Sequence, residues 1–272
     1  MPELPEVETV RRGIEPHVLG QRIAAVTVRD RRLRWPIPPG LEAWLTGQRI
    51  DSASRRGKYL LLQMDTGDRL IVHLGMSGRL FALERDVPLK KHDHVDIVLD
   101  SGAILRFNDP RRFSAVLPWQ AAEATHPLIA NLGPEPLDAA FSDDHLYARS
   151  RGRRQSLKTF IMDGRTVVGV GNIYASEALF RAGLRPGTAA GRLTRPQAER
   201  LTAAIRATIA DAIRQGGTTL RDFAGADGNP GYFQQDLYVY GRAGKPCRVC
   251  GEEIRARVIG QRSSFYCVQC QR

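Results

Sequence analysis

Six side chains near the two ends of this chain have types and spacings that could do chemistry. Toward the carboxyl end, Cys247-Arg248-Val249-Cys250 is followed, after sixteen residues, by Cys267-Val268-Gln269-Cys270. Four soft thiolates in two Cys-x-x-Cys pairs can close a tetrahedral Zn²⁺ site, and this separation falls in the zinc-ribbon range. A four-cysteine site has no open coordination position, so the metal, one Zn²⁺ per chain, is read as structural; a redox dithiol pair is the alternative. At the amino end stands Met1-Pro2-Glu3-Leu4-Pro5-Glu6-Val7-Glu8-Thr9. Removal of Met1 would leave Pro2 with a secondary α-amine, whose ordinary pKa of about 8 keeps part of it neutral and nucleophilic near neutral pH. The positive end of a helix dipole disfavours protonating such an amine, whereas Glu3 and Glu6 pull the other way. A carboxylate beside a neutral amine is a usable acid/base pair. The ordinary reading of the same residues is an acidic, proline-punctuated helix start without chemistry.

These groups need elements to hold them. Val7, Val10 and Ile14 follow helical spacing, Pro5 suits a first turn, and Pro16 marks the stop of that helix. Apolar runs then recur at Ile23 to Val28, Tyr59 to Met64, Leu70 to Leu74, Leu80 to Leu83, Val95 to Leu99, Ile104 to Phe107 and Ala115 to Trp119, with one short helix around Leu41 to Leu45. Turn residues such as Asp65-Thr66-Gly67-Asp68 separate them, and many short strands at this spacing read as an antiparallel β-sandwich or barrel. The pattern changes after Trp119. Gly133-Pro134-Glu135-Pro136 breaks the chain, and helical signatures dominate from Ser142.

One helix is expected to start within Val170 to Glu177 and to end near Gly183. Another should run from about Arg195 to Gln215, with Thr194 and Gln197 at capping-box spacing and a stripe of Leu201, Ile205, Ile209 and Ile213. Between Leu220 and Phe233 lies a segment rich in glycine and turn formers, read as a mobile lid rather than a linker. The residues between the cysteine pairs alternate as a β-hairpin should, with Arg262 at its turn.

Composition bounds the partner. Lys plus Arg exceeds Asp plus Glu by 40 − 29 = 11. Basic residues cluster at 29–34, Arg55-Arg56-Gly57-Lys58 and 149–154, which favours a polyanion, nucleic acid first, over a small neutral substrate. No run approaches the roughly 18 apolar residues of a membrane span, and the acidic start lacks a signal peptide's features. The expected location is the cytoplasm. Four cysteines at metal-ligand spacing argue against a secreted disulfide framework.

Pro2-Glu3-Leu4-Pro5-Glu6-Val7-Glu8-Thr9, Gly171-Asn172-Ile173-Tyr174-Ala175-Ser176-Glu177 and the four-cysteine hairpin stand in this order along the chain. Together they make the sequence resemble bacterial formamidopyrimidine-DNA glycosylase, the 8-oxoguanine DNA glycosylase family, over essentially its whole length. The resemblance implies an α+β, two-domain fold: an N-terminal helix with an antiparallel β-sandwich (1–130), then a helix-two-turn-helix domain with the lid (131–235), ending in a zinc-finger hairpin (236–272). It implies a base-excision repair enzyme acting on oxidised purines in damaged double-stranded DNA, monomeric, and held at the nucleoid through DNA.

The resemblance also assigns roles. It implies that the Pro2 nitrogen attacks C1′ of the damaged nucleotide and leaves a Schiff base, after which β- and δ-elimination cut the strand. Glu3 matches the acid/base residue, Lys58 the proton donor in β-elimination, and Arg262 the finger arginine of the second elimination. Met76, Arg111 and Phe113 match residues that fill the gap left by an extruded base. His73, His92, Arg154, Lys158 and Asn172 match contacts to the DNA backbone, Asn172 near a helix N-terminus where phosphate is favoured. Thr159 stands where many relatives carry proline.

Two readings compete with this one. An endonuclease VIII-like enzyme would prefer oxidised pyrimidines, but Leu4, Met76 and the length of the lid favour the purine enzyme. A zinc-containing DNA-binding protein without catalysis would have no need of Pro2, Glu3 and Lys58 together.

Overall fold

Helix α1 (Leu4–Val18) starts directly after Glu3 in the computed structural model, which describes residues 2–83, 87–216 and 237–272. Glu6 accepts the backbone N–H of Glu3 at 2.8 Å, and Pro5 sits in the first turn, where a missing N–H breaks no helical bond. Pro16 does not stop the helix as expected but lies inside its last turn. A proline there removes only its own donor, and the helix closes beyond it with the Leu19 N–H on Glu15 O at 3.2 Å. Gly20, at φ +73°, then turns the chain away.

The described chain divides into two compact units. The first runs to Ala130; the second comprises Asn131–Gln215 and residues 237–272. In the first unit follow β1 (Ile23–Val28), α2 (Leu41–Leu45), β2 (Ile50–Arg56), β3 (Tyr59–Met64), β4 (Arg69–His73), β5 (Arg79–Leu83), β6 (Asp93–Leu99), β7 (Ile104–Asn108), β8 (Ala115–Trp119) and a short α3 (Pro127–Ala130). They form two four-stranded antiparallel sheets, ordered β1-β6-β7-β5 and β2-β3-β4-β8. Leu60, Leu62, Leu70, Val72 and Val116 of one sheet meet Leu80, Val95, Ile97, Leu105 and Phe107 of the other in a single core, which Val7, Val10, Ile14 and Val18 of α1 extend.

The expected strands are present. The addition is β2, Ile-Asp-Ser-Ala-Ser-Arg-Arg, whose polar residues face outward because it is an edge strand and presents only one buried face.

The second unit holds α4 (Asp143–Ser150), α5 (Leu157–Met162), α6 (Asn172–Arg181) and α7 (Arg195–Arg214), then β9 (Ile254–Ile259) paired antiparallel with β10 (Arg262–Cys267). Ser142, Ser156 and Thr194 cap α4, α5 and α7 by accepting backbone N–H groups. The stripe expected on α7 holds for Leu201, Ile205 and Ile209, but Ala212 replaces Ile213 as the buried residue at its end. Positions four apart advance by more than one turn of 3.6 residues, so the fourth has rotated off the face. The hairpin packs on α6 through Phe180, Val239, Ile254 and Phe265. The segment read as a lid, Leu220 to Phe233, lies outside the described residues. Among the described residues, no helix is long and apolar enough to cross a membrane.

Candidate active site and nucleic-acid interface

Pro2 and Glu3 are both buried, Glu3 with 1% of its surface exposed, and they stand at the start of α1, where the backbone N–H groups of the first turn point outward. A proline amine at this place would meet low dielectric, the positive end of a helix and a carboxylate together. Glu8, one turn on, does structural work. Burial pushes its carboxyl up, but Arg11, Arg12 and Arg55 outweigh that and hold it below its ordinary range. Its bond to Arg55 Nε at 3.3 Å fastens α1 to β2.

Lys58 sits in the two-residue loop joining β2 to β3, with Gly57 at φ +57° in the first loop position. The register Tyr59↔His73 then brings the imidazole of His73 against the Tyr59 ring at 4.8 Å, with Trp35 edge-on at 6.1 Å. Burial, and next to it the charges of Lys58 and Arg34, lower His73 to about 4. His73 is therefore neutral at physiological pH. The Gly75 N–H donates to its Nδ1 at 3.3 Å, which leaves Nε2 to carry the proton.

Two loops follow at this end of the sandwich. One, after β4, carries Met76, half-buried; the other, after β7, carries Arg111 and Phe113, both exposed, with the guanidinium 5.0 Å from the ring centre. His92, before β6, accepts the Asp109 N–H on its carbonyl at 3.2 Å. The first unit thus gathers Lys58, His73, Met76, His92, Arg111 and Phe113 at one end of its strands. Sequence reasoning missed what ties them: Asp109, fully buried, accepts from Ser77 Oγ at 2.5 Å and from the Arg111 N–H at 3.2 Å. Turn formers in Gly75-Met76-Ser77-Gly78 and Asp109-Pro110 were the available signal.

In the second unit, Asn172 is the first residue of α6, and its Nδ2 lies 3.5 Å from Tyr240 Oη. Arg154 is exposed before α5. Lys158 departs from expectation: rather than facing outward to DNA it is fully buried in α5, and its ammonium donates to Ser263 O at 2.8 Å and Ser264 Oγ at 2.7 Å. The buried charge is satisfied by the hairpin, so Lys158 ties α5 to β10. Arg262 is exposed at the first position of β10, directly after a turn in which Gly260 (φ +56°) and Gln261 (φ +60°) both adopt positive φ. Glu177 of α6 was not assigned a role from sequence. Its carboxylate accepts three consecutive backbone N–H groups, of Tyr238, Val239 and Tyr240, at 2.8 to 2.9 Å.

The four cysteine sulfurs lie within 4.8 Å of one another, with 3.4 Å between Cys250 and Cys267 and 3.9 Å between Cys247 and Cys270. A tetrahedron with Zn–S of about 2.3 Å has edges of roughly 3.8 Å, so the set fits the metal. Burial raises Cys247, but N–H groups of Cys250 and Val249 outweigh it and bring the thiol to about 7, while burial and the neighbouring sulfurs push Cys270 up. Four clustered thiolates need a cation, and one structural zinc, held by Cys247, Cys250, Cys267 and Cys270, supplies it.

Comparison with known proteins gives three matches in order along the chain. Residues 1–116 match the Formamidopyrimidine-DNA glycosylase N-terminal domain, residues 132–224 the Formamidopyrimidine-DNA glycosylase H2TH domain, and residues 244–272 a zinc finger found in FPG and IleRS. The formamidopyrimidine-DNA glycosylase of Stutzerimonas stutzeri is 58% identical over 272 residues, covering 100% of both chains. Among solved structures, the MutM (Fpg) protein of Thermus thermophilus is 40% identical with a TM-score of 0.88, covering 99% of this chain and 98% of that one. The Lactococcus lactis Fpg, solved in complex with DNA containing N7-benzyl-Fapy-dG, is 32% identical with a TM-score of 0.91 and 100% coverage of both. Three domain matches in order, and identity sustained from end to end, place the chain in the formamidopyrimidine-DNA glycosylase family.

Proposed function

We propose that this chain is a bifunctional DNA glycosylase and apurinic/apyrimidinic lyase of base-excision repair, removing 8-oxoguanine and formamidopyrimidines from duplex DNA. The observation that carries the reading is the end-to-end family match of a chain whose Pro2 and Glu3 are buried together at a helix start. Once Met1 is lost, the Pro2 nitrogen forms a bond to C1′ as the glycosidic bond breaks and the base departs with the electron pair and a proton. Glu3 moves the protons of base loss and sugar opening. The resulting iminium acidifies C2′; loss of a proton there expels the 3′ phosphate, and a second elimination expels the 5′ phosphate. Lys58 serves as proton donor in the first elimination, and the finger arginine Arg262 belongs to the second.

Met76, Arg111 and Phe113 fill the space vacated by the base, and His73, His92, Arg154 and Asn172 hold the backbone. Exposure of Arg111, Phe113, Arg154 and Arg262 supports these roles. His73 fits as a neutral donor through Nε2. Zinc enters no step; when bound it neutralises the four thiolates, and the hairpin they close carries Arg262. Residues 1–130 form the catalytic part, 131–235 the helix-two-turn-helix part and 236–272 the zinc finger. The enzyme acts as a monomer, held at the nucleoid through DNA.

Borohydride added to the enzyme with an 8-oxoguanine duplex should trap a covalent complex, absent in a chain that retains Met1, because a tertiary amide has no nucleophilic lone pair. Active protein that yields no trapped species would sink the imine mechanism. Cleavage of thymine glycol paired with adenine should be slower than that of 8-oxoguanine paired with cytosine, and the reverse order would overturn the purine assignment.

A further inference from the structure

The loop bearing Met76 and the loop bearing Arg111 and Phe113 come from different strands, yet they touch at every level. Gly75, at φ +61°, lies so close to the second loop that a Cβ would collide with the carbonyl oxygen of Phe113 and with Ser114 N. Ser77 Oγ donates to Asp109 Oδ1 at 2.5 Å, and the Arg111 N–H reaches both Ser77 Oγ and Asp109 Oδ1 at 3.2 Å. One hydroxyl and one carboxylate oxygen thus join the two loops at the backbone of Arg111. Asp109 is fixed from behind, its carbonyl on His94 Nε2 at 2.8 Å and its N–H on His92 O at 3.2 Å.

The second loop is also strained. Arg112 takes φ +57°, a region that a non-glycine residue seldom adopts, and an ion pair with Asp30 at 2.7 Å holds its side chain. Asp109 itself is costly: it is fully buried, and its Oδ2 has no hydrogen-bond partner. A carboxylate kept at that cost, beside a strained backbone and between two loop tips, marks a joint.

We propose that Asp109, acting through Ser77, fastens the two loops into a single rigid wedge, so that Met76, Arg111 and Phe113 enter the base stack together. Asp109 and Ser77 are positioning residues for base extrusion, and this rests on the void-filling roles proposed above. Pre-setting the wedge matters because an extruded base has to be replaced as it leaves; three tips moving independently would each lose conformational freedom at that moment. Gly75 belongs to the same device, since only a residue without Cβ lets the loops approach this closely.

The test compares a substrate that requires extrusion with one that does not. Ser77→Ala and Asp109→Asn, as full-length zinc-loaded protein, would be assayed on duplex 8-oxoguanine paired with cytosine and on a single-stranded oligonucleotide with a preformed abasic site. The expected result is a fall of about tenfold or more in the ratio of duplex excision to single-strand cleavage, as loss of one hydrogen bond to a charged group implies. A 2-aminopurine placed beside the lesion should report slower unstacking by the same factor. An unchanged ratio, whether both rates fall equally or neither falls, overturns the proposal. Asp109→Asn keeps the shape but not the charge, and if it does not fold Ser77→Ala alone decides. Absence of duplex excision by the unsubstituted enzyme would instead refute the parent reading.

Discussion

At the scale of single residues, the fold dictates the protonation of His73. His73 shows the sign of the effect. Its folded value of about 4 lies below the ordinary 6.5, so between these the unfolded chain binds a proton that the folded chain refuses. Stability is full above about pH 6.5 and declines as the pH falls toward 4, by on the order of 3 kcal/mol. Urea unfolding of His73→Gln should accordingly change less between pH 7 and pH 5 than that of the unsubstituted chain; equal pH dependence would show that His73 is not buried neutral.

Residue type announced some roles and hid others. The four cysteines were legible because their spacing alone restricts their chemistry, whereas Pro2-Glu3 read equally as a plain helix start until the family resemblance was added. Lys158 was not, since a lysine's sequence neighbours do not say whether its ammonium meets phosphate or, as here, Ser263 and Ser264 across the fold. Asp109 and Glu177 were hidden for the same reason: their partners are backbone or hydroxyl groups brought by other segments.

Elements with one buried face and clear caps were readable, and those defined by their neighbours were not. Helix α7 was legible from Thr194 and Gln197, and the inner strands from their apolar runs; β2 was missed because an edge strand of Ser and Arg owes its conformation to β3. The hairpin turn shows how tightly elements can be fitted. A Cβ on Gly260 would strike Cγ2 of Thr159 on α5, in addition to the strain of φ +56°. Gly260→Ala should therefore destabilise the second unit by about 2 kcal/mol, from positive φ and overpacking together. Thr159→Ser, which removes Cγ2 and keeps the hydroxyl that contacts Ser156, should recover part of that loss in urea unfolding and in zinc retention against a chelator. No recovery in the double variant would place the cost in the turn alone.

For the molecule as a whole, the formal charge of +11 does not say which basic residues are open to DNA. Several arginines of the basic clusters are internally paired: Arg29 with Asp96 at 2.6 Å, Arg32 with Asp30 at 2.9 Å and Arg55 with Glu8 at 3.3 Å. Composition could not reveal this, because pairing depends on which carboxylates the fold brings near. The slope of log affinity against log salt separates the two populations. Arg154→Ala, at an exposed position, should reduce the slope by about one, whereas Arg29→Ala should leave it unchanged. A reduced slope for Arg29→Ala would show that its ion pair opens on DNA.

Glu177 bears on how such a chain can vary over generations. Its carboxylate grips the backbone of Tyr238, Val239 and Tyr240, so the register at which the chain enters the zinc hairpin is set locally by α6. Residues gained or lost between Gly216 and Tyr238 leave that register intact. Length changes in that segment should therefore not uncouple the zinc hairpin from the helix it packs on.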